Sequence, residues 1–425
     1  MRVDSPRATA VERSVRVAWA GGERRLRVGG PAELLLGEDD LSPFVPIALL
    51  LAMRRQEPLE IDGPVSERLL AALPETQEIL SAWSPTLHRV PVRARELAPV
   101  PARPAAGRAT CFSRGVDATY SATRPRPPGR ELTHLVYCEG FDPSYTPASR
   151  DARLAAAHAA AERIGLPLVV ATTNMPELID HVVDFEDAYG AALAMAGLAL
   201  GGGLGTLGIP SSRGYAGLLP AGSHPLLDPR WSTERTAIEH DGLFERVDKV
   251  IWLVDNRPDL LAGLHVCYAV DSAENCGRCL KCLNTALLLE IAGGLDRCPS
   301  LGPELDLEAV ARDVRFTSAL ARLGINSNYN RLDSGPRHDE LRRVLETILS
   351  ESSAAPHDPS PHGILRHQNR LLTASLEGRF HPPLASGPRF PEATVGPLPV
   401  AAPAVAPEVA PRPRRLARLL RRRGR

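Results

Sequence analysis

Lysine is nearly absent from this 425-residue chain: Lys249 and Lys281 stand alone, and the other 48 basic residues are arginine. Where so biased a chain keeps a lysine, either chance or the need for a compact ammonium explains it. Long apolar runs are also missing. None approaches the ~20 residues of a membrane helix, and the longest, Val45 to Met53, is the size of a core segment. Met1 to Arg24 carry scattered charges and no apolar h-region, so no secretory signal is expected and the cytoplasm is the expected compartment. Net charge is absent too, with 50 basic against 50 acidic residues. The balance is uneven, because Pro411 to Arg425 hold eight arginines and no acid, which leaves 42 basic against 50 acidic elsewhere. That excess of acid argues against a nucleic-acid-binding surface outside the tail. The tail interleaves Leu416, Leu419 and Leu420 with its arginines. It suits a phosphate backbone, an acidic membrane surface or simple solvation. No internal repeat is found.

What is present is an ordinary globular composition, 44% apolar, in a chain long enough for two or three domains. Residues 1–105 read as a small α/β unit. Val15 to Trp19 and Arg25 to Val28 alternate as a hairpin around Gly21-Gly22. Pro43 to Arg54 and Val65 to Trp83 read as helices, and Leu59 to Ile61 and His88 to Val92 as short strands. Ala98 to Arg108, rich in Pro, Ala and Arg, reads as a linker. From Ala109 strands and helices alternate. Strands are expected at Ala109 to Phe112, Thr133 to Cys138, Leu168 to Ala171 and Thr206 to Ile209. Helices are expected at Val116 to Ala122, Asp151 to Ile164 and Asp187 to Leu200. Such alternation implies βαβ units and a doubly wound parallel sheet of the Rossmann-like kind, with ligands at the carboxyl ends of the strands. Helices are expected at Leu243 to Val254, Thr285 to Ala292, Leu305 to Leu323 and Asp339 to Leu349. The expected domains are therefore 1–105, 106–260, 261–350 and a Pro-rich tail, 351–425, without a packed core.

Cys267, Cys276, Cys279 and Cys282 fall as C-x8-C-x2-C-x2-C. Four soft thiolates in a tight loop suit a tetrahedral ion, and Gly277 stands where a knuckle turn needs a small residue. Structural zinc is the favoured ligand. An iron–sulfur cluster completed by Cys298 would need a far shorter gap, and redox thiols are a third reading. With four cysteines the coordination is closed, so zinc would stiffen the fold rather than react. Cys111, Cys138 and Cys298 read as small buried hydrophobes.

Ser113-Arg114-Gly115-Val116-Asp117-Ala118-Thr119 lies between the first strand of the alternating region and its helix. Amides at a helix N-terminus point at an anion. Ser113 and Thr119 add hydroxyls, Gly115 allows close approach, and Asp117 could cap the helix or hold a nucleotide's magnesium. A Ser-x-Gly-x-Asp turn is equally familiar as a plain helix cap.

This segment resembles the PP-loop, Ser-Gly-Gly-x-Asp-Ser, of the ATP-pyrophosphatase superfamily. Cys267-Tyr268 and Cys276-Gly277-Arg278-Cys279-Leu280-Lys281-Cys282 resemble the zinc site of one branch, the 7-cyano-7-deazaguanine synthases. Arg246-Val247-Asp248-Lys249-Val250 is similar to that branch's lysine-bearing helix. The resemblance spans roughly residues 109–295. Arg114 replaces the first glycine of the loop, and Ala118 replaces its last serine. The resemblance implies a PP-loop fold with a C-terminal zinc-binding helical lobe, and ATP, Mg2+ and Zn2+ as cofactors. It implies cleavage of ATP to AMP and pyrophosphate, with a carboxylate or carbonyl of an unidentified small-molecule acceptor activated for attack by a nitrogen nucleophile. Ser113, Arg114, Gly115, Val116, Asp117 and Thr119 would hold the nucleotide, and Asp117 and Lys249 would be catalytic. Homo-oligomer formation is left open.

Other polar groups gather at Ser223-His224, Asp228 and His240-Asp241-Gly242, which read as a loop. Its His224, Asp228, His240 and Asp241 could bind a metal or move protons, or serve as turn residues. Thr172-Thr173-Asn174 follows a strand at the ligand edge and could touch a ligand or make an Asn turn. Gly201 to Gly208 lacks the Walker ending and reads as a loop. Three further functions are weighed: a non-catalytic nucleotide-binding scaffold with a degenerate loop, a zinc-ribbon nucleic-acid module using the tail, and a sulfur-transfer enzyme using Cys138.

Overall fold

The alternating pattern is realised in a computed structural model that describes residues 1–354 except 38, 142–144, 315–326 and 333–337, with side chains to residue 349. The arginine tail, the end of the Leu305 to Leu323 helix and the Pro-rich segment beyond 354 lie outside the described residues. The strands are β1 (Arg2–Ala8), β2 (Glu12–Trp19), β3 (Gly22–Gly29), β4 (Leu59–Val65), β5 (Val92–Leu97), β6 (Gly107–Cys111), β7 (His134–Glu139), β8 (Leu168–Thr173), β9 (Leu204–Pro210) and β10 (Ala237–Asp241). The helices are α1 (Val45–Arg55), α2 (Glu67–Trp83), α3 (Val116–Thr123), α4 (Pro147–Ile164), α5 (Pro176–Ile179), α6 (Phe185–Ala199), α7 (Arg246–Asn256), α8 (Leu280–Ala292), α9 (Leu307–Asp313) and α10 (Asp339–Ala354). No helix among the described residues is long and apolar enough to cross a membrane.

All ten strands join one sheet in the order β10-β9-β6-β7-β8-β3-β2-β1-β4-β5. Six of its nine pairings are parallel, so the chain is an α/β protein with a mostly parallel sheet. Three pairings are antiparallel: β2 and β3 form the expected hairpin, Val15 opposite Leu26 and Trp19 opposite Gly22, β1 adds beside β2, and β3 pairs with the distant β8. Because strand side chains alternate between faces, Val136 joins the core under α1 and α6 while Leu135 joins that under α3 and α4. Helix α1 is apolar all round, and Val45 to Met53 are almost fully buried. It lies against α6, whose alanines keep the two backbones close. A further core unites α7, α8, α9 and α10 and takes in Cys267, Cys282 and Cys298.

Two local expectations need correction, and one strand was not expected at all. β1 had no sequence signal, being half charged. β5 starts where its expected strand ended. The stretch around His240 and Asp241 is a strand, β10, beside β9. Its polar residues hid it, and each has a charged partner: Glu239 has Arg108 and Arg130, His240 has Asp228 at Nδ1, and Asp241 has Arg124 and Arg126.

The two halves of the sheet meet where β3 pairs with β8, Val28 opposite Thr173 and Gly29 opposite Thr172. Asn174 locks this seam. Its Oδ1 accepts from Arg27 N at 2.8 Å and its Nδ2 donates to Arg25 O at 2.9 Å. Thr173 Oγ1 donates to Arg27 O at 2.8 Å. The polar groups of Thr173 and Asn174 are thus committed to the sheet. A Cβ on Gly29 would stand 2.5 Å from Thr172 Oγ1 and 2.9 Å from Val11 O, so only glycine fits. Gly29→Ala should cost about 1–3 kcal/mol, as overpacking does, read as a lower urea midpoint at unchanged slope. Thr172→Ala in the same chain should restore part of the loss.

Candidate functional site

The loop after β6 leads into α3, with Gly115 as N-cap and Asp117 in the first turn. Helix geometry leaves the amides of Val116, Asp117 and Ala118 without intrahelical acceptors. Gly115 N approaches Ser113 Oγ at 3.4 Å. Thr119 is buried in the same turn. Arg114, which replaces the first glycine of the motif, has φ 64°, a left-handed conformation that ordinarily favours glycine. The turn therefore forms around a side chain, at a local strain of order 1–3 kcal/mol. The guanidinium of Arg114 swings to the cysteine-bearing segment, where Nη2 donates to Ala273 O at 3.1 Å, while its own carbonyl accepts from His265 N at 3.0 Å.

Asp117 and Lys249 lie 132 residues apart and meet. Lys249 Nζ is 3.0 Å and Arg246 Nη2 2.6 Å from the Asp117 carboxylate. The Lys249 side chain is 1% exposed, and its ammonium also donates to Ser211 O at the end of β9. Burial pushes the Asp117 carboxyl up, but the charges of Arg246 and Lys249 outweigh it and hold it below its ordinary value. Burial lowers the Lys249 ammonium, and Asp117 offsets part of that. Arg246 is the member that sequence reasoning missed, although it lies one helical turn before Lys249. The other lysine, Lys281, rests its ammonium 4.9 Å from the centre of the Tyr268 ring.

The four cysteines converge, with all sulfurs within 4.8 Å of one another. The pairs Cys267–Cys279 and Cys276–Cys282 are 3.9 Å apart, and Cys279–Cys282 is 3.4 Å. Tetrahedral zinc with bonds of ~2.3 Å would set its sulfurs about 3.8 Å apart, so the cluster could hold zinc. Gly277 takes φ 70° in the knuckle, and Cys279 N donates to Cys276 Sγ at 3.3 Å. Cys279 caps α8, and Cys282 lies in its first turn. Burial opposes ionisation of Cys276, yet the amides of Arg278 and Cys279 and the neighbouring thiols bring it down to about 7. Burial and the Cys279 thiol push Cys282 up. Asn275 holds the two arms together: Oδ1 accepts from Val266 N and Cys267 N, and Nδ2 donates to Leu264 O and Ser300 Oγ. Nothing in its sequence position marked Asn275. Cys298 lies outside the set, buried near Ser300. Burial and contact with Cys138 raise the Cys111 thiol, contact with Cys138 being the larger cause.

The polar segment from Ser223 to Gly242 divides. Ser223 Oγ and His240 Nδ1 each lie 2.7 Å from Oδ2 of the fully buried Asp228. Asp241 points to the opposite face, paired with Arg124 and Arg126. His224, Asp228, His240 and Asp241 therefore do not form one site. Compared with protein families, curated proteins and solved structures, the chain matches none.

Asp117→Asn should cost about 3–5 kcal/mol, because it leaves Lys249 buried beside a neutral partner. Asp117→Asn with Lys249→Met should recover part of it. The folded carboxyl titrates below its unfolded value of ~3.9, so this contribution is present above pH ~4 and is lost as the pH falls through the folded value. The difference in urea stability between wild type and Asp117→Asn should accordingly narrow below pH ~4. For the cysteines, Cys279→Ser should lower bound zinc well below about one ion per chain by elemental analysis. A chelator should lower the wild-type melting temperature more than that of the variant.

Proposed function

We propose that this protein is an ATP-dependent adenylating enzyme of the PP-loop type, resembling 7-cyano-7-deazaguanine synthases. The observation that carries the reading is the meeting of the Ser113–Thr119 loop with Lys249 and Arg246 at the carboxyl edge of a parallel sheet. Free amides at a helix start and two cations are the usual means of holding a polyphosphate. Ser113, Gly115, Val116 and Thr119 bind phosphate oxygens. Lys249 and Arg246 offset the charge that gathers on departing pyrophosphate, and Asp117 fixes both cations when the nucleotide is absent. Magnesium accompanying ATP would add further shielding of the phosphate charge. An acceptor oxygen attacks the α-phosphorus, the bond to the β-phosphate oxygen breaks, and pyrophosphate leaves. A nitrogen nucleophile then adds at the activated carbon and displaces AMP. Enzymes of this kind work mostly by positioning. Cys267, Cys276, Cys279 and Cys282 would hold zinc, which would brace the lobe behind the loop.

A second reading has its own support. Both Asp117 oxygens are engaged by cations, and Ala118 offers no hydroxyl. On that reading the loop binds nucleotide without cleaving it. Calorimetric titration of MgATP into zinc-loaded protein tests the shared premise. Binding should weaken about tenfold or more in Lys249→Met, the loss expected for a charged contact. Wild-type protein that is folded and zinc-loaded yet binds no MgATP sinks both readings. Binding without pyrophosphate release across a panel of carboxylic acids and ammonia leaves the non-catalytic one.

A further inference from the structure

Most arginines near the sheet edge have a carboxylate partner. Arg124 and Arg126 share Asp241, Arg108 and Arg130 share Glu239, and Arg246 has Asp117. Two arginines break this pattern. Arg114 and Arg153 are each 7% exposed, and among the described residues neither has a carboxylate within 4.0 Å. A buried guanidinium without a carboxylate in contact is costly; Glu274 acts on Arg114 and Asp271 on Arg153 only from further off, and the two guanidiniums are close enough to repel each other.

They come from different elements and converge on one segment. Arg114 reaches from the loop after β6 and donates to Ala273 O at 3.1 Å. Arg153 reaches from α4, donates to Val270 O at 3.4 Å and Ser149 Oγ at 3.3 Å, and stacks 3.7 Å from the Tyr145 ring centre. Each guanidinium carries five N–H donors, so most are unspent. The unspent nitrogens are not among the sealed polar atoms, so they still reach solvent. Beside them His265, bonded through its amide to Arg114, keeps a buried Nε2 with no partner. Tyr137 on β7 lies near both charges. The left-handed strain at Arg114 falls at the one loop position where a glycine would be unstrained, which suggests that the side chain is kept for its charge.

We propose that Arg114 and Arg153 form an oxyanion pocket that takes a planar carboxylate of the acceptor substrate, between the nucleotide loop and the cysteine lobe. Two forked guanidiniums match a carboxylate's paired oxygens better than an ammonium does. The pocket is distinct from Lys249 and Arg246, which face Asp117. Its assignment to the acceptor rests on the adenylation reading, and the pocket itself does not. Phosphate oxygens of the nucleotide are the other source of the same chemistry, and the test separates them.

The probe is 13C-labelled acetate, whose line width is followed as zinc-loaded full-length protein is added, with and without MgATP or inorganic pyrophosphate. Saturable broadening is expected with wild type. In Arg114→Gln and in Arg153→Gln the acetate affinity should fall about tenfold, the loss of one charged contact. Arg153→Lys should keep part of it. MgATP should leave the broadening in place, and Arg153→Gln should still bind MgATP. Unchanged melting temperature and zinc content show that the variants fold. Absence of saturable broadening in wild type, or equal broadening in folded variants, overturns the pocket. Displacement of acetate by pyrophosphate, together with loss of MgATP binding in Arg153→Gln, assigns the arginines to the nucleotide and overturns the carboxylate assignment. Acetate binding by a protein that binds no MgATP upholds the pocket while removing the adenylation reading.

Discussion

A buried ammonium must have a counter-charge, and in this protein that requirement ties the candidate site together. Lys249 has 1% of its side chain exposed and meets Asp117 from the far side of the chain. Asp117 belongs to the first turn of α3 and Lys249 to α7, so the pair holds the loop after β6 against the helix that leads into the cysteine lobe. Val116 and Tyr120 of α3 pack with Val247 and Val250 of α7 around it. Exclusion of water strengthens the attraction. A guanidinium is larger and planar, whereas Lys249 Nζ sits between a carboxylate and the Ser211 carbonyl. This gives a physical reason for a lysine in a chain that otherwise uses arginine.

Charge around the sheet edge is arranged unevenly. Four arginines on the β10 side share the two carboxylates of Glu239 and Asp241, so half of their positive charge is offset in place. Arg114 and Arg153 lack such partners among the described residues, and burial and the neighbouring guanidinium charges bring the imidazole of His265 down to about 4, burial being the larger cause. A neutral imidazole beside two guanidiniums leaves positive charge against the loop that Glu274 and Asp271 offset only from a distance. The cysteine cluster lies behind it, and Asn275 links the arms of that cluster through four hydrogen bonds. Rigidity there and positive charge in front are complementary, because a preorganised cation does not relax away from an arriving anion.

The N-terminal residues supply β1 to β5 and extend the sheet beyond β8. Their seam depends on a single close approach at Gly29 and on the side-chain amide of Asn174. That use of Asn174 takes away a candidate ligand contact that the strand position alone suggested. Helix α1 and α6 then fill the space beneath, and the Ser223, Asp228 and His240 cluster is sealed there, with His240 Nε2 unpartnered. Apart from that nitrogen the sealed polar groups satisfy one another, which is why a polar run that reads as a loop contains a strand.

Much of the fold was legible from the chain itself. The hairpin at Trp19 and Gly22, the alternation from Ala109 onward and the all-apolar α1 are local patterns, and local patterns survive because backbone period and side-chain burial are set within a few residues. The cysteine site was legible for the same reason: two-residue spacings close a knuckle over a single turn, and only Cys267 had to be brought from further away. By itself the sequence determined an α/β chain with a four-cysteine cluster and a short Ser-x-Gly-x-Asp turn between a strand and a helix. The tertiary structure decided what that loop faces. The pairing of Asp117 with Lys249 and Arg246 and the approach of Arg114 to Arg153 join residues brought together by the sheet and the helices packed on it. Side-chain charges act through space, and no spacing along the chain records which of them the folding of distant segments will bring within a few ångströms.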